Sequence, residues 1–369
     1  MSSLVEKKVV IALSGGVDSS VAALLLKKEG YKVFGIHMIN WDSQLNELEM
    51  DKECESLSKD REYAEIIAQQ LEIPFFVYNF TFEYWNYVFK PFISLLNKNL
   101  IGNPDILCNS AIKFGTLLSK VKRVFGPDVL LATGHYAKVI STENNVLLGT
   151  CSNEQKDQTY FLSKLTQFQL REIIFPLSEI DSKQKVREIA KENNFPNWNK
   201  RSSRGICFIG KRNFYSFISK YVDSKKGSIV DIENQKYLGQ HQGLCYYSMN
   251  QRKGQLVSGQ KEKYYVCGRD ENNSTLFVCG ESNRDKYLKK NYCVADNIHW
   301  IGTPPEIGRE ILLKFKHTPR FISGTIKKIN GEEVEISHES CFSTSPGQYI
   351  VFYSLDKKIC LGSGVFKTS

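Results

Sequence analysis

The sequence lacks the features that mark membrane proteins and the most common class of nucleotide-binding loop. No apolar run approaches the roughly 20 residues that cross a bilayer, so we expect no membrane partner. The Gly-x4-Gly-Lys-[Ser/Thr] motif is missing, which excludes a Walker-type phosphate loop. Internal repeats and low-complexity tracts are also missing, so nothing in the sequence indicates a repeat architecture.

Cysteine is present, but never in short paired spacings. The ten cysteines are scattered, and no secretory signal precedes them. This usage is typical of a reducing compartment in which most thiols are buried and inert. The first predicted strand begins within about eight residues of Met1, so we expect no Arg- and Ser-rich transit peptide.

Length and charge favour a multidomain protein with a polyanionic partner. The chain has 369 residues, which favours two or three domains with ample core. Its hydrophobic content of 41% and charged content of 24% are normal for a soluble globular protein. The net charge of +9 suits RNA, although many basic proteins bind no nucleic acid.

A strand, a glycine turn and a helix follow one another near the N-terminus. Val9 to Leu13 is a continuous β-branched and aliphatic run, as expected of a strand buried on both faces. Gly15 and Gly16 allow backbone angles that other residues avoid, and the pattern becomes helical from Val17. Because the first amide N–H groups of a helix lack partners, this arrangement predicts an anion site.

Asp18 distinguishes this loop from a simple phosphate cradle, because a carboxylate repels an anion. The residue makes sense if it helps to hold a Mg²⁺ ion that bridges phosphates. The hydroxyls of Ser14, Ser19 and Ser20 add hydrogen-bond donors. The alternative is an ordinary strand–turn–helix that happens to contain glycines. The stretch resembles the SGGxDS pyrophosphate loop of the PP-loop ATPases, which cleave ATP between its α- and β-phosphates.

Two later strands are predicted to end beside this loop. Lys32 to Ile39 reads as a second strand parallel to the first, so Met38 faces either an adenine ring or the core. Val129 to Ala137 is another buried strand. Ligands of open α/β sheets lie at the carboxyl ends of the strands, which is where Gly134 and His135 fall. A structural role for the lone histidine is the alternative.

Two cysteines occur in settings that suit chemistry. Asp105 precedes Cys108 by three residues, so a carboxylate and a thiol share one helical face. This spacing suits a general base beside a nucleophile, or equally an Asp N-cap and a buried Cys. Cys207 lies among Arg201, Arg204 and Lys211, whose positive charges stabilise a thiolate. The alternative is a half-buried Cys in a basic loop.

The composition changes after Phe214. Short alternating strands begin at Gly227, and from Asn291 onward segments repeat at strand spacing, which is the pattern of a small β-barrel. Basic and aromatic residues interleave at Lys314-Phe315-Lys316, as in surfaces that stack bases and neutralise phosphates.

With these segments in hand, the chain resembles the tRNA-specific 2-thiouridylase family from Val9 to about Phe366. Other PP-loop enzymes share the first motif, whereas the NPDxxCN and GICFIG pair is specific to this family. The motifs occur in order: SGGVDSS at Ser14, NPDILCN at Asn103, ATGHYA at Ala132, KDQTYFL at Lys156, GICFIGKRNF at Gly205, the GQHQGL and QRKG turns, and SPGQYIVFY at Ser345.

The resemblance implies an α/β fold class with three domains. The first is a PP-loop ATPase domain with a parallel sheet, of the adenine nucleotide alpha hydrolase type, expected over residues 1–211. A small central α+β or β domain is expected over 212–288. A C-terminal β-barrel that binds tRNA is expected over 289–369.

The resemblance also implies site residues, carried over by position. Cys108, Cys207 and Asp105 would be catalytic, and Asp18 would hold the metal. The positions expected to contact ATP are Ala12, Leu13, Ser14, Gly15, Gly16, Val17, Asp18, Ser19, Met38 and Gly134. Those expected to contact tRNA are Asn103, Pro104, Asp105, His135, Lys156, Asp157, Gln158, Lys314, Phe315 and Gln348. At Lys314-Phe315 the family has an Arg-Tyr pair, so the guanidinium fork is lost here.

The implied reaction exchanges the C2 oxygen of the wobble uridine for sulfur. ATP with Mg²⁺ would adenylate that oxygen, Cys207 would carry sulfur as a persulfide, Cys108 would attack the persulfide, and Asp105 would act as general base. The two cysteines would end disulfide-bonded to each other. The implied partners are tRNAs for lysine, glutamate and glutamine, and a cysteine desulfurase or its relay as sulfur donor. We expect a monomer.

Two other functions and two compartments stay open on the sequence. Another PP-loop adenylating enzyme of the amidotransferase type would need no cysteine pair. A tRNA-binding protein without catalysis would bind tRNA but cleave no ATP. The NWDS and DKECE segments favour the mitochondrial branch of the family, and the cytoplasm of a bacterium is the alternative.

Overall fold

The computed structural model describes residues 7–41, 52–201, 214–252 and 262–368, and their contacts divide the chain into two compact units. Unit 1 comprises Met1–Phe89, Pro104–Arg212 and Asp356–Leu361. Unit 2 comprises Lys90–Asn103, Asn213–Leu355 and Gly362–Ser369. The three predicted domain ranges stay a prediction.

The described residues form helices and strands in the following order. The helices are α1 (Val17–Lys28), α2 (Lys52–Gln70), α3 (Thr81–Tyr84), α4 (Lys90–Asn97), α5 (Pro104–Leu107), α6 (Leu118–Phe125), α7 (Thr159–Leu162), α8 (Gln167–Arg171), α9 (Lys183–Glu192), α10 (Phe214–Ile218) and α11 (Arg284–Leu288). The strands of unit 1 are β1 (Lys8–Ala12), β2 (Lys32–Ile39), β3 (Phe75–Asn79), β4 (Leu130–Ala132), β5 (Lys138–Ser141), β6 (Val146–Gly149) and β7 (Ile173–Ile174). The remaining strands are β8 (Gly227–Asp231), β9 (Tyr237–His241), β10 (Tyr264–Asp270), β11 (Thr275–Gly280), β12 (Lys289–Trp300), β13 (Glu310–Lys314), β14 (Ile322–Asn330), β15 (Glu333–Phe342), β16 (Tyr349–Tyr353) and β17 (Ile359–Thr368).

A five-stranded parallel sheet in the order β3-β2-β1-β4-β7 forms the centre of unit 1. Val9, Val10 and Ile11 are completely buried, because β1 is the middle strand and both of its faces are covered. Full burial of each such side chain contributes about 1.5–3 kcal/mol. The predicted parallel pairing of the first two strands is confirmed, and all five carboxyl ends lie along one edge.

Some helices of unit 1 differ from the sequence prediction. The polar and acidic composition of residues 40–60 predicts a loop, yet α2 already begins at Lys52. In sequence its first turns contain good helix formers but no apolar stripe, and among the described side chains of α2 those of Ala64, Ile67 and Ala68 are buried. Two stretches are wound as π-helix, Trp85–Phe89 and Cys108–Leu117. Such winding is common at functional sites.

Unit 2 contains a sheet of four strands and a closed barrel. The sheet has the order β10-β11-β8-β9, with β11 and β8 parallel and the other pairs antiparallel. Its core includes Ile229, Val266, Leu276 and Val278. The barrel runs β12-β15-β14-β13-β16-β17 and closes because β17 also pairs with β12. The predicted small central domain and C-terminal β-barrel are therefore confirmed as fold elements. In the described part of the chain, no helix has the length and apolarity that crossing a bilayer requires.

Candidate functional site

The turn between β1 and α1 forms a narrow backbone cradle. Gly15 has a φ of +73°, and a Cβ atom there would lie 1.9 Å from the carbonyl oxygen of Asp60, so only glycine fits. The N-cap of α1 is Gly16, which offers no side-chain cap. The first-turn amides of α1 therefore stay available for an anion, and the helix dipole adds positive character there.

Two serine hydroxyls brace this turn from within. The Ser14 amide donates to Ser19 Oγ at 3.2 Å, and the two hydroxyl oxygens are 3.1 Å apart. Ser19 Oγ in turn donates to the Gly16 carbonyl at 3.0 Å. These bonds fix the loop before any ligand arrives, so the cradle is preorganised.

Gly134 lies against the start of α1, as its place after β4 predicts. A Cβ atom at Gly134 would lie 2.7 Å from the Ser19 amide nitrogen and 2.9 Å from the carbonyl carbon of Asp18. Parallel pairing of β2 with β1 brings Met38 to the same edge, where its side chain is 8% exposed. The structure thus brings together the predicted nucleotide contacts from three strands.

Gly134→Ala should weaken both nucleotide binding and the fold. The added methyl group displaces the first turn of α1, so we expect at least about a tenfold loss of ATP affinity and about 1–3 kcal/mol of unfolding free energy. Titration calorimetry with ATP and denaturant unfolding measure the two effects. Gly268→Ala is the matched control, because its nearest neighbour would lie at an ordinary 3.4 Å. Equal ATP affinities for the two variants would contradict this close approach.

Asp18 is held by two side chains that the sequence prediction missed. Its Oδ1 forms an ion pair with the Lys183 ammonium and accepts a hydrogen bond from the Tyr136 hydroxyl at 2.7 Å. Burial, and then the Asp18 charge, raise the pKa of Tyr136, so this phenol stays protonated as a donor. Burial lowers the pKa of Lys183, which Asp18 opposes. Lys183 is the first residue of α9, where the helix dipole disfavours a cation. A lysine at this unfavourable position is the feature of the sequence that could have indicated a role for it.

A second cluster joins the Cys108 helix to the end of β4. Lys113 donates to Asn109 Oδ1 at 2.9 Å, and its Nζ lies 3.5 Å from His135 Nε2. His135 Nδ1 lies 2.7 Å from Thr133 Oγ1. Since Lys113 can only donate, Nε2 is the acceptor and Nδ1 carries the proton. Two predicted motifs that are distant in sequence therefore meet at Lys113.

Of the three residues predicted to be catalytic, the structure describes Cys108 and Asp105. Cys108 has a fully buried side chain and begins the π-helical stretch, and Asp105 is half-buried in the first turn of α5. Asn109 is buried and donates from Nδ2 to the Phe161 carbonyl at 3.0 Å. Cys207, the proposed persulfide carrier, lies outside the described residues. The pairing of the two sulfurs stays a prediction.

Burial of three histidines predicts a pH-dependent stability. Burial, reinforced by Lys113, holds the pKa of His135 well below 6.5, and burial also lowers the pKa of His37 and His241. The folded chain keeps these rings neutral, while the unfolded chain protonates them below pH 6.5 or so. The contribution of these neutral rings to the free energy of unfolding is complete above that pH and is lost as the pH falls.

Denaturant unfolding across about pH 7.5 to 5.5 measures this loss. Each proton contributes a slope of at most about 1.4 kcal/mol per pH unit. His135→Gln should reduce the slope of unfolding free energy against pH by up to the contribution of one proton, because the ring that resists protonation in the folded chain is gone. Parallel curves for the variant and the unsubstituted chain would show that His135 titrates normally when folded.

The predicted tRNA contacts of unit 1 have unequal exposure. Lys156 is exposed, and Gln158 accepts from the Tyr136 amide through Oε1 at 3.0 Å. Asp157 is 4% exposed and accepts from the Cys151 and Thr159 amides at 3.1 and 3.2 Å. The structure thus gives Asp157 a role in bracing its own loop. Pro104 begins α5.

In unit 2 the predicted tRNA pair lies inside rather than on a surface. Lys314 is 3% exposed, and its ammonium lies 4.2 Å from the centre of the Phe321 ring and 5.1 Å from that of Tyr353. Phe315 is 8% exposed and packs on His338. The expectation of an exposed surface came from the interleaving of basic and aromatic residues, whereas in the structure aromatic faces shelter this cation. Asn103 and Gln348 are both half-buried, and tRNA contact at these positions stays a prediction.

Family models cover nearly all of the chain. Residues 7–211 match the tRNA methyl transferase HUP domain, and residues 215–280 match the tRNA methyl transferase PRC-barrel domain. Residues 290–366 match the Aminomethyltransferase beta-barrel domain.

Several curated proteins are similar over the full length. The tRNA-specific 2-thiouridylase MnmA of Ureaplasma urealyticum is 42% identical, over 98% of this chain and 95% of that protein. That of Malacoplasma penetrans is 40% identical over 98% of both. The trifunctional protein RibF/MnmA of Mycoplasmoides gallisepticum is 41% identical, and the chain spans 56% of its length.

Solved structures align with the chain only weakly. A 4-thiouridine synthetase–RNA complex with bound ATP aligns with a TM-score of 0.34 at 16% identity, over 58% of this chain and 49% of that one. NMN synthetase from Francisella tularensis aligns with a TM-score of 0.32 at 18% identity, over 54% and 66%.

The mitochondrial prediction is wrong. The relatives above belong to mycoplasmas and ureaplasmas, which are bacteria and have no mitochondria. The acidic segments that suggested the mitochondrial branch are therefore no guide to compartment in this chain.

Proposed function

The chain belongs to the family of tRNA-specific 2-thiouridylases, and on that premise we propose that it replaces the C2 oxygen of a tRNA wobble uridine with sulfur at the expense of ATP. One observation carries the proposal. The preorganised anion cradle at Gly15 and Gly16 and the Lys113–His135 contact both belong to unit 1 and are linked through the loop after β4, and Lys113 lies on the helical stretch that begins at Cys108. Nucleotide chemistry and thiol chemistry therefore share one sheet edge.

The residues at this edge fit ATP. The glycine cradle and the uncapped first turn of α1 suit the phosphates. Within the described residues, Arg187 Nε is buried without a hydrogen-bond partner, and its charge acts on both Lys183 and Tyr136. The buried amide of Asn40, just after β2, is likewise without a partner there, and its donor and acceptor match a nucleobase edge.

A Mg²⁺ ion fits the site only together with the substrate. The described residues hold no group of three metal-ligating side chains, so the phosphates would have to supply most of the oxygen ligands. Both contacts of Asp18 use Oδ1, so we assign Oδ2 as the oxygen that would hold the metal. When bound, Mg²⁺ would stabilise the charge of the departing pyrophosphate.

The protein's own groups then divide the work. The cradle amides hold the phosphates while the uridine C2 oxygen attacks the α-phosphate and pyrophosphate leaves. Oxide is a poor leaving group, whereas AMP can depart from C2. Because His135 is neutral, with its proton on Nδ1, Lys113 has no second positive charge beside it at this position.

Sulfur transfer requires two thiols with different tasks. Asp105 takes the proton of Cys108, and the Cys108 thiolate attacks the Cys207 persulfide. Hydrosulfide leaves and displaces AMP from C2, while a Cys108–Cys207 disulfide forms. Alternatively the terminal sulfur of the persulfide attacks C2 first, and Cys108 then releases the product with the same disulfide. A thiol reductant restores both cysteines.

The partners are proposed on the same basis. We propose tRNAs for lysine, glutamate and glutamine as substrates, with a cysteine desulfurase or its relay as sulfur donor. The basic net charge of +9 supports a tRNA substrate. We place the reaction in the reducing cytoplasm of a bacterium, where the disulfide can be reduced after each turnover.

The test is reconstitution with the purified chain. Unmodified tRNA, ATP, Mg²⁺, a thiol reductant and a persulfide donor, namely a cysteine desulfurase with cysteine, should yield 2-thiouridine, AMP and pyrophosphate, detected by nucleoside mass spectrometry and phosphate analysis. Tight tRNA binding without ATP cleavage would instead support a binding protein without catalysis. ATP-dependent modification that survives complete thiol alkylation would support an amidotransferase-type enzyme.

A further inference from the structure

The Gly15 carbonyl is held by two side chains from the segment that follows α9. Asn197 donates from Nδ2 to this oxygen at 3.0 Å, and Lys200 donates from Nζ at 3.1 Å. Neither residue belongs to a motif that the sequence analysis identified. In sequence the same segment leads on toward Cys207.

The direction of this carbonyl decides what the loop offers to an anion. In a trans peptide the C=O and the following N–H point in opposite directions. Two donors on the Gly15 carbonyl therefore aim the Gly16 N–H the opposite way, where it makes a long and exposed contact of 3.4 Å with Ser14 Oγ that a phosphate oxygen can replace. Because glycine at φ +73° tolerates either orientation of the adjoining peptide, the sequence of the loop alone does not fix this choice.

The same segment also fixes the first turn of α1. Asn197 Nδ2 donates to Ser20 Oγ at 3.0 Å, and Ser20 Oγ donates to the Gly16 carbonyl at 3.1 Å. Asn197 is 1% exposed, so these bonds are shielded from water. The Asn197 side chain thus spans the turn from Gly15 to the helix.

Lys200 connects the turn to α2 from the other side. Its ammonium forms an ion pair with Asp60 and lies 4.9 Å from the centre of the Tyr63 ring. The carbonyl of Asp60 lies against Gly15 so closely that a methyl group would not fit. The Gly15 peptide is therefore enclosed by α2 and by the segment after α9.

We propose that Asn197 and Lys200 are positioning residues of the phosphate loop, which hold the Gly15–Gly16 peptide with its carbonyl toward the protein and its N–H toward the nucleotide phosphates. The inference rests on the proposed use of ATP. It assigns no chemistry to either side chain. Without them the carbonyl is released to face the phosphates, and its negative end opposes their charge.

Lys200→Met is the principal test, because methionine keeps the apolar stem and removes the donor. Titration calorimetry with Mg·ATP alone should show a dissociation constant at least about tenfold higher than that of the unsubstituted chain. The dissociation constant for tRNA should stay within about twofold, since the loop is not expected to touch it. Lys191→Met is the matched control: it removes an ammonium that lies 5.3 Å from the centre of the Trp198 ring in the same region.

Three further variants separate positioning from simple structural support. Lys200→Arg keeps a cationic donor and should recover most of the ATP affinity. Asp60→Asn removes the ion pair but leaves Lys200 able to donate to Gly15, so its loss should be smaller than that of Lys200→Met. The serine side chain of Asn197→Ser is too short to span Gly15 and Ser20, so this variant should also weaken ATP binding. It replaces Lys200→Met as the principal test if that variant is too unstable to study.

The outcomes are distinct. If Lys200→Met binds ATP as tightly as Lys191→Met does, the proposal is overturned. It is also overturned if Asp60→Asn loses as much ATP affinity as Lys200→Met. Equal losses of ATP and tRNA affinity would show a general structural role and also overturn it. An unsubstituted chain that binds Mg·ATP but forms no 2-thiouridine refutes the proposed function, while the comparison of ATP affinities still decides this inference.

Discussion

Replacing either Cys108 or Cys207 with serine should reduce 2-thiouridine formation by at least about a thousandfold while tRNA affinity stays within about twofold. Serine preserves the size of the side chain but cannot carry or attack a sulfur atom under these conditions. Each thiol is used once in every turnover, so loss of either one stops the cycle. The measurement is nucleoside mass spectrometry of tRNA after reaction with ATP, a thiol reductant and a limiting persulfide donor, namely a cysteine desulfurase with cysteine.

The ten cysteines provide the control for this result. Cys279→Ser removes a fully buried thiol of unit 2 that has no place in the proposed reaction, and it should thiolate tRNA at nearly the normal rate. Robust product formation by Cys108→Ser or Cys207→Ser with the persulfide donor would remove that cysteine from the mechanism. The two single variants should also differ: only Cys207→Ser should fail to accumulate protein-bound persulfide.

Asp18→Asn should have the second largest effect, with pyrophosphate release slowed by about a hundredfold to a thousandfold. The amide keeps the shape of the side chain but loses the charge that would hold Mg²⁺ and that faces Lys183. Lys183 is only 14% exposed, so removal of its partner should also lower the unfolding free energy by about 1–3 kcal/mol. A burst experiment for pyrophosphate and denaturant unfolding measure the two losses separately.

A double variant separates these two consequences. Asp18→Asn combined with Lys183→Met removes both charges, so most of the lost stability should return. Adenylation should not return, because no carboxylate is present. Recovery of pyrophosphate release in the double variant would show that Asp18 serves only to neutralise Lys183, and the metal assignment would be withdrawn.

The parts of the fold that the sequence predicted are those with strong local patterns. β1 and β2 are continuous apolar runs because their faces are covered, and the barrel strands alternate at regular spacing. The start of α2 at Lys52 could not be predicted in this way, since its first turns have no apolar stripe. Periodicity reports burial, and it fails where a helix is nearly all polar.

The site divides along the same line. The glycine turn, Asp18 and Gly134 are recognisable because each occurs within a motif. Lys183 and Lys200 act through contacts with residues more than a hundred positions away, so no motif contains them. For Lys183 the sequence offers only one signal, a cation at the start of α9. At Lys314 the interleaving of basic and aromatic residues suggested an exposed surface, but the ammonium is buried against aromatic rings.

The central claim is that ATP activates the C2 oxygen of the uridine itself. The most direct measurement uses tRNA with a heavy oxygen isotope at C2 of the wobble uridine, followed by mass spectrometry of the nucleotide products. Activation at C2 predicts that the heavy oxygen appears in the phosphate of AMP, in step with 2-thiouridine formation. Heavy oxygen found in water or retained in the uridine, with AMP unlabelled, would contradict the mechanism.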